Sequence, residues 1–203
     1  MKQLTKYQLK KISNNLDYYF NTASAKEIKE GLRWYKNAND ICKDIAEKYK
    51  TNVLIAAQVI SAISPRNKWE QNIKDAYLIF EAIKHNIHPE DVKICTFHSN
   101  KFKAFNIVTN NVQICDKSLK TYNFVHNIAL LSNEHLTIDI WHLRACFNEP
   151  INIGSASIGR LAYEQIKMLT IKKADKLGLK GYEYQAIIWG SIRNINTHLI
   201  TNN

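Results

Sequence analysis

Apolar residues recur every three to four positions along most of this chain, which is the spacing of one face of an α-helix. The run from Val53 to Ile63 is apolar at almost every position and predicts a buried central helix, and another stripe begins at Trp69. No stretch keeps the apolar–polar alternation that is typical of a half-buried strand. The pattern therefore predicts an all-α protein. Similar stripes predict helices within residues 9–20, 28–45, 101–108, 122–129, 140–147, 158–169 and 184–195.

Local signals mark several helix ends. Ser24 and Glu27 form the S-x-x-E pattern of a capping box, in which side chains and backbone N–H groups of the first turn pair reciprocally. Asp139 and Ser99 are each predicted to be N-caps, because their side-chain oxygens can accept hydrogen bonds from unpaired backbone N–H groups. Pro65 disfavours helical geometry at the residue before it, so we expect the central helix to end there.

The composition agrees with a single helical domain. The 203 residues are 45% hydrophobic, with only 6 glycines and 3 prolines, which is enough apolar material to bury a core. The formal net charge of +10 favours a polyanionic partner such as nucleic acid. Lysines that only solvate the helix faces are the alternative explanation of that charge.

The chain carries no sequence signal for a membrane, for secretion or for a metal. Its first residues lack the apolar core of a signal peptide, and its longest apolar run is too short to span a bilayer. We therefore expect an intracellular, cytoplasmic protein with no membrane partner. The cysteines form no C-x-x-C pair, which favours small, buried, reduced thiols over disulfides or a zinc site. They are Cys42, Cys95, Cys115 and Cys146.

Two charged residues stand at the openings of consecutive predicted helices. Lys120 and Thr121 open one helix, and Asp139 opens the next, followed three and five positions later by His142 and Arg144. A K-T pair followed about twenty residues later by D-x-x-H-x-R resembles the helix-hairpin-helix (HhH-GPD) DNA glycosylase superfamily. In that family the hairpin reads L-P-G-V-G-x-K-T-A, and the later piece reads V-D-T-H-V-x-R-V.

The resemblance implies a fold and a partner. The fold would be a two-lobed helical bundle, with the N- and C-terminal helices in one lobe and about residues 52–150 in a central lobe that carries the hairpin. The partner would be DNA, as duplex or as modified phage DNA. Some members bind an iron–sulfur cluster through closely spaced C-terminal cysteines. Because no cysteine follows Cys146, we predict no cluster and no other cofactor.

The resemblance also implies catalytic roles in a DNA repair reaction. Asp139 would stabilise the positive charge that develops on the sugar when the base departs, and it would activate the attacking water. Lys120 would attack the sugar carbon and form a Schiff base, which adds a lyase step to the hydrolase reaction. Each residue also has a structural explanation, because Asp139 could be only a helix cap and Lys120 only a surface lysine.

Further residues are candidates for contacts with DNA and with a flipped base. The candidates for DNA contacts, from the hairpin, from the turn after the central helix and from the second motif, are Ser118, Thr121, Arg66, Asn67 and Arg144. The candidates for the base pocket are Trp69, Tyr122, Trp141 and His142. Trp141 stands where the family has a small or hydroxyl residue, so it could narrow the pocket, stack on a modified base or simply fill the core.

The chain departs from the family at the hairpin. The two glycines whose backbone N–H groups hold a DNA phosphate are replaced here by Asp116 and Ser118. The chain also resembles uncharacterised phage-encoded proteins that have W-Y near the start, S-P-x-x-x-W-x-x-N-I in the middle and T-I-D before the last third. Phage relatives of the glycosylase fold are thought to act on hypermodified pyrimidines. The sequence therefore leaves three hypotheses: a DNA glycosylase-like enzyme, a phage base-hypermodification enzyme on the same fold, and a non-catalytic helical DNA-binding or regulatory protein.

Overall fold

The computed structural model describes residues 3–149, 151 and 158–201, with only the backbone for 195–201. This part of the chain forms nine α-helices and one short 3-10 helix and contains no strand, so the prediction of an all-α protein is confirmed. The α-helices are α1 (Lys6–Asn21), α2 (Ala25–Lys48), α3 (Val53–Ile63), α4 (Trp69–Lys84), α5 (His98–Thr109), α6 (Leu119–Leu130), α7 (Ile140–Phe147), α8 (Arg160–Lys176) and α9 (Gly181–Thr201), and the 3-10 helix is Pro89–Asp91.

Contacts divide the chain into two compact units. Unit 1 consists of Met1–Lys36 and Ser132–Asn203, and unit 2 consists of Asn37–Leu131. One boundary falls inside α2, and the other falls directly after α6. The predicted central lobe of about residues 52–150 has different bounds, because α7 and its neighbouring residue Asp139 belong to unit 1.

Unit 1 is built from α1, α7, α8, α9 and the first part of α2. Helix α1 packs on α7, α8 and α9, and α9 packs on α7 and α8. The apolar faces meet in a core that includes Leu16 of α1, Ile166 of α8 and Ile187 of α9, all fully buried. At Gly31 of α2 a β-carbon would lie only 2.6 Å from the side chain of Ile187, so the helices approach closely where no side chain intervenes.

Unit 2 is arranged around α3, which packs on α4, α5 and α6. The residues of α3 from Ala56 to Ile63 are buried, which confirms the prediction of a buried central helix. Its one long polar side chain there, Gln58, accepts a hydrogen bond from the backbone N–H of Ile114 at 2.7 Å and donates one to Gln113 Oε1 at 2.8 Å. This buried amide therefore fastens the segment between α5 and α6 to the central helix.

Most of the predicted helix ends are confirmed. Ser24 and Glu27 form the capping box, with the Glu27 carboxylate accepting from Ser24 N at 2.6 Å and Glu27 N donating to Ser24 Oγ at 3.3 Å. Helix α3 ends before Pro65 with Ser64 as its C-cap. The prediction for Ser99 is wrong, because α5 begins at His98 and its N-cap is Phe97, two residues before Ser99, with no side-chain capping bond.

The cysteines follow the prediction only in part. Cys42 and Cys146 are buried, and burial raises the pKa of the Cys42 thiol to about 12 and that of Cys146 further. Cys95 and Cys115 are exposed, so the prediction of buried thiols is wrong for these two. Among the described residues, no helix is both long enough and apolar enough to cross a bilayer.

Candidate functional site

Asp139 is the N-cap of α7, as its sequence position predicted. Its backbone is extended, with φ −98° and ψ −176°, and its Oδ1 accepts a hydrogen bond from the backbone N–H of His142 at 2.9 Å. This bond satisfies one of the N–H groups that the first turn of a helix leaves unpaired. The side chain is half-buried, so the carboxylate lies at the border between the core of unit 1 and solvent.

A second donor reaches the same carboxylate oxygen from another helix. The indole Nε1 of Trp189, in α9, lies 3.0 Å from Asp139 Oδ1. Trp189 is also half-buried and is separated from Asp139 by 50 positions along the chain. A capping carboxylate that accepts a further hydrogen bond from a distant helix is held more rigidly than one that only caps its own helix.

A network of buried hydrogen bonds fixes the extended segment that leads into Asp139. The Tyr163 hydroxyl donates to Leu136 O at 2.7 Å and accepts from Ile138 N at 3.1 Å, and Gln185 Nε2 donates to Thr137 O. Tyr163 and Gln185 come from α8 and α9 and are buried. Because buried polar groups must be paired, these two side chains set the path of the backbone into α7.

Aromatic rings surround the Trp189 side of the site. The rings of Trp34 and Trp189 meet edge to face at 5.5 Å, and Tyr35 lies 5.9 Å from Trp189 and 4.7 Å from Trp34 between ring centroids. Tyr35 is fully buried, which raises its pKa well above the ordinary value, and its hydroxyl donates to Gln185 Oε1 at 3.1 Å. Tyr35 therefore belongs to the aromatic cluster and, through its hydrogen bond to Gln185, also to the buried hydrogen-bond network.

Two arginines lie over the ring of Trp141, two residues after Asp139. The guanidinium carbon of Arg144 is 4.5 Å from the centre of this ring, and that of Arg193 is 5.5 Å away. Arg144 also donates from Nε and Nη2 to Ile151 O, at 3.1 and 2.9 Å. Trp141 is therefore part of a mixed cationic and aromatic surface, and much of the hydrogen-bonding capacity of Arg144 is already used within the protein.

His142 does not have the position that a base-pocket residue requires. Its ring is fully buried, and its Nε2 lies 3.2 Å from Thr170 Oγ1, which itself donates to Ile166 O, so Nε2 is the donor. Burial lowers the pKa of His142 to about 3, so the ring is neutral at physiological pH. The prediction that His142 lines a base pocket is corrected, because a side chain without exposed surface cannot contact a ligand.

The start of α6, in unit 2, holds the predicted hairpin residues. Ser118 is the N-cap, with φ −100° and ψ 69°, but its side chain makes no capping hydrogen bond. Its own N–H donates to Cys115 O at 3.2 Å, which closes a tight turn before the helix. Ser118 and Lys120 are exposed and Thr121 is half-buried, so two of these three side chains are open to solvent.

The aromatic pocket candidates Trp69 and Tyr122 also belong to unit 2. Trp69 opens α4 and meets Phe124 edge to face at 6.4 Å, and Tyr122 meets His126 at 4.4 Å on α6. Both candidate side chains are half-buried. The four predicted pocket residues therefore divide between the two units, with Trp141 and the buried histidine in unit 1.

The turn after α3 is held by a buried carboxylate that the sequence analysis missed. Asp75 of α4 is fully buried and accepts hydrogen bonds from Asn67 Nδ2, Gln71 Nε2 and Cys95 N at 2.9, 2.8 and 3.0 Å. The amide of Asn67, a predicted DNA contact, is thus engaged in fixing the turn. Arg66 is exposed in a left-handed conformation, with φ 60°, and its guanidinium lies 5.5 Å from the centre of the Phe97 ring.

The two proposed catalytic residues are therefore found in different surroundings. Asp139 is half-buried and held by two donors in unit 1, and Lys120 is exposed in the first turn of α6 in unit 2. Four residues that fix the site in unit 1 were not predicted from the sequence, and they are Tyr163, Gln185, Trp189 and Arg193. Within the described ranges, no group of three or more His, Cys, Asp or Glu side chains is arranged to hold a metal ion.

Comparison with known protein families gives a match. No curated protein and no solved structure matches the chain. The match is to a family profile and covers residues 1–196, which is nearly the whole sequence. The chain belongs to the family described as "Family of unknown function (DUF7178)".

Proposed function

We propose that this chain is a DNA N-glycosylase-like enzyme that acts on a damaged or modified base flipped out of the DNA. The observation that supports this proposal most directly is the position of Asp139, whose carboxylate is half-buried and fixed at Oδ1 by two N–H donors at 2.9 and 3.0 Å. A carboxylate fixed in this way suits a reaction in which positive charge develops at one defined place.

Cleavage of an N-glycosidic bond has this requirement. As the bond between C1′ and the base nitrogen breaks, its electron pair leaves with the base and the sugar becomes cationic. Asp139 stabilises that cation and accepts a proton from the attacking water, whose oxygen forms the new bond to C1′. The departing base gains a proton, so the products are the free base and an abasic sugar.

The surroundings of Asp139 supply groups that recognise nucleic acid. The half-buried rings of Trp34, Trp141 and Trp189 are of the kind on which bases stack. Arg193 is exposed beside Trp141, and the chain as a whole carries a net charge of +10. Together they support a negatively charged polynucleotide as the substrate class.

A lyase step through Lys120 is the second part of the proposal. The exposed amine of Lys120 would attack C1′ of the abasic sugar and release water as the Schiff base forms, and loss of the C2′ proton would then expel the 3′ phosphate. Borohydride reduces the Schiff-base intermediate and leaves a covalent protein–DNA complex. We expect Lys120→Ala to abolish this trapping and Lys74→Ala, at an exposed lysine of α4, to retain it. Trapping that survives in Lys120→Ala would exclude this lysine.

A base-hypermodification enzyme on the same scaffold is the second candidate. Asp116 and Ser118 favour it, because a carboxylate and a hydroxyl stand where glycine N–H groups hold phosphate in the DNA glycosylases. An enzyme of this kind would transfer or process a substituent on the base and leave the glycosidic bond intact.

The experiment that tests the proposal compares Asp139→Asn with the wild-type protein on a panel of DNA substrates. The panel contains uracil, hydroxymethyluracil and phage-modified pyrimidines, and mass spectrometry detects the released base. We expect free base from at least one substrate and a loss of about 100- to 1000-fold in rate for Asp139→Asn, with affinity for DNA largely kept. Glu30→Gln is the matched control, because it removes the same charge from a side chain that is 65% exposed and pairs only loosely with Lys26 at 3.9 Å.

Other outcomes separate the alternatives. A mass change of the base within intact DNA, without release, would favour the hypermodification enzyme. DNA binding without any chemical change, unaffected by Asp139→Asn, would favour the non-catalytic DNA-binding protein and overturn the proposal.

A further inference from the structure

The indole of Trp189 makes a hydrogen bond that helix capping does not require. An N-cap carboxylate needs only N–H groups of its own helix, and Asp139 receives one from His142 at 2.9 Å. The bond from Trp189 Nε1 at 3.0 Å satisfies none of the backbone N–H groups at the start of α7. Trp189 is half-buried, so burial alone does not force its N–H group onto a carboxylate instead of water.

The orientation of this indole is itself fixed. Trp34 meets it edge to face at an interplanar angle of 89°, and Tyr35 lies against it at a tilt of 31°. One turn earlier on α9, Gln185 accepts a hydrogen bond from Tyr35 and donates one to the carbonyl of Thr137. Helix α9 therefore holds both the backbone that leads into Asp139 and the carboxylate itself.

We infer that Trp189 is a positioning residue, whose indole N–H holds the Asp139 carboxylate in the orientation in which it acts on the sugar. This inference rests on the proposed function. Two donors that converge on Oδ1 fix the plane of the carboxyl group, and so they also fix the direction of its second oxygen. A reacting group that is misplaced by about 1 Å loses on the order of 100-fold in rate, and such a loss affects the chemical step more than binding.

The kinetic test uses two replacements of Trp189. Trp189→Phe removes the donor and part of the ring, and site-specific replacement by 3-benzothienylalanine removes only the donor, because sulfur takes the place of the N–H group. We expect both to lower kcat by about 10- to 100-fold with KM changed less than about 3-fold. In an Asp139→Asn background the same replacements should cause little further loss, because the group that they position is already altered.

Ile12→Val controls for a general loss of packing, since Ile12 is a fully buried residue of α1. It should lower the melting temperature and leave kcat unchanged. If the benzothienyl variant keeps the wild-type kcat, the inference is overturned while the proposed function stands.

A second readout does not depend on activity. The protein contains 4 tryptophans, so its indole N–H groups give few signals in a nitrogen–proton correlation spectrum, and Trp189→Phe identifies one of them. We expect that signal to lie downfield and to move when Asp139 is changed to Ala, and Glu30→Gln should leave it in place. If the chemical shift of the Trp189 indole N–H is unchanged by Asp139→Ala, the inference is overturned. If the signal moves with Asp139→Ala but the protein releases no base from any substrate, the hydrogen bond between Trp189 and Asp139 is supported and the proposed function is overturned.

Discussion

Helices α6 and α7 begin with similar sequence signals and are held in different ways. At α7 in unit 1, the Asp139 side chain bonds to the backbone of its own helix and to Trp189, and the preceding segment is fixed by buried side chains. At α6 in unit 2, the side chain of Ser118 makes no capping bond, and Lys120 is exposed. The contrast indicates that a charged residue at a helix start becomes a well-defined chemical group only when more distant parts of the chain fix it.

The histidines of the two helices also differ, because His142 of α7 is fully buried and His126 of α6 is only partly buried. The first prediction compares their effects on stability at low pH. Burial lowers the pKa of His142 on α7 from 6.5 to about 3, whereas partial burial lowers the pKa of His126 on α6 less far. In the unfolded chain His142 therefore binds a proton as the pH falls through about 6.5, whereas in the folded protein it stays neutral until about pH 3. Stability from this group is complete above pH 6.5 and is lost as the pH falls toward 3, at about 1.4 kcal/mol per pH unit.

At pH 4 the loss would reach about 3 kcal/mol, which denaturant unfolding at several pH values can measure. We expect His142→Gln to flatten the dependence of the free energy of unfolding on pH between 6.5 and 4. His126→Gln is the matched control and should flatten it much less. A larger effect from His126→Gln than from His142→Gln would mean that His142 is not the more deeply buried of the two histidines.

The local part of this architecture could be predicted from the sequence. Apolar spacing predicted the helices, and the chemistry of Asp139, Ser24 and Pro65 predicted three of the helix ends, because a cap depends on residues within one turn. The prediction of Ser99 as an N-cap was wrong because α5 starts at His98, after an N-cap, Phe97, that makes no side-chain capping bond. The helices could be predicted because their backbone hydrogen bonds and caps join residues that are only a few positions apart in the sequence.

The arrangement of the candidate site could not be predicted in the same way. Trp189 lies 50 positions from Asp139, and nothing in the intervening pattern indicates that the two side chains meet. Arg144 follows Trp141 by three positions, so their contact was accessible from helical spacing, whereas that of Arg193 was not. The burial of His142 depends on how α8 packs on its surroundings, and a short helix does not reveal which of its faces is covered.

The second prediction compares the two N-caps directly. Asp139→Ala removes the cap of α7 and leaves the indole N–H without its carboxylate, so we expect the free energy of unfolding to fall by about 2 kcal/mol. Ser118→Ala removes a side chain that makes no capping bond, and we expect a change within about 0.5 kcal/mol. Urea unfolding of both variants measures the difference. Equal losses would indicate that the Ser118 hydroxyl caps α6 in solution, and the contrast between the two helix starts would then fail.

The smallest expected effects lie at the other ends of the same helices. Both end in a left-handed residue, Leu131 with φ 49° after α6 and Asn148 with φ 53° after α7. Leucine is strained in this region and asparagine is tolerated there. Asn148 also accepts a hydrogen bond from the Tyr19 hydroxyl at 2.6 Å, so its side chain has a second role in unit 1.

Glycine at the two positions should therefore have opposite effects. Leu131→Gly relieves the backbone strain at the cost of a half-buried side chain, and we expect a net gain of roughly 0.5 kcal/mol in the free energy of unfolding. Asn148→Gly has little strain to relieve and removes the acceptor of a nearly buried tyrosine hydroxyl, so we expect a loss of about 1 kcal/mol. Thermal unfolding of the two variants side by side resolves a difference of this size. A loss for both would mean that the side chain of Leu131 contributes more than its backbone strain costs. A gain for both would mean that the contact with Tyr19 adds nothing to the end of α7, and that unit 1 fixes only the start of this helix.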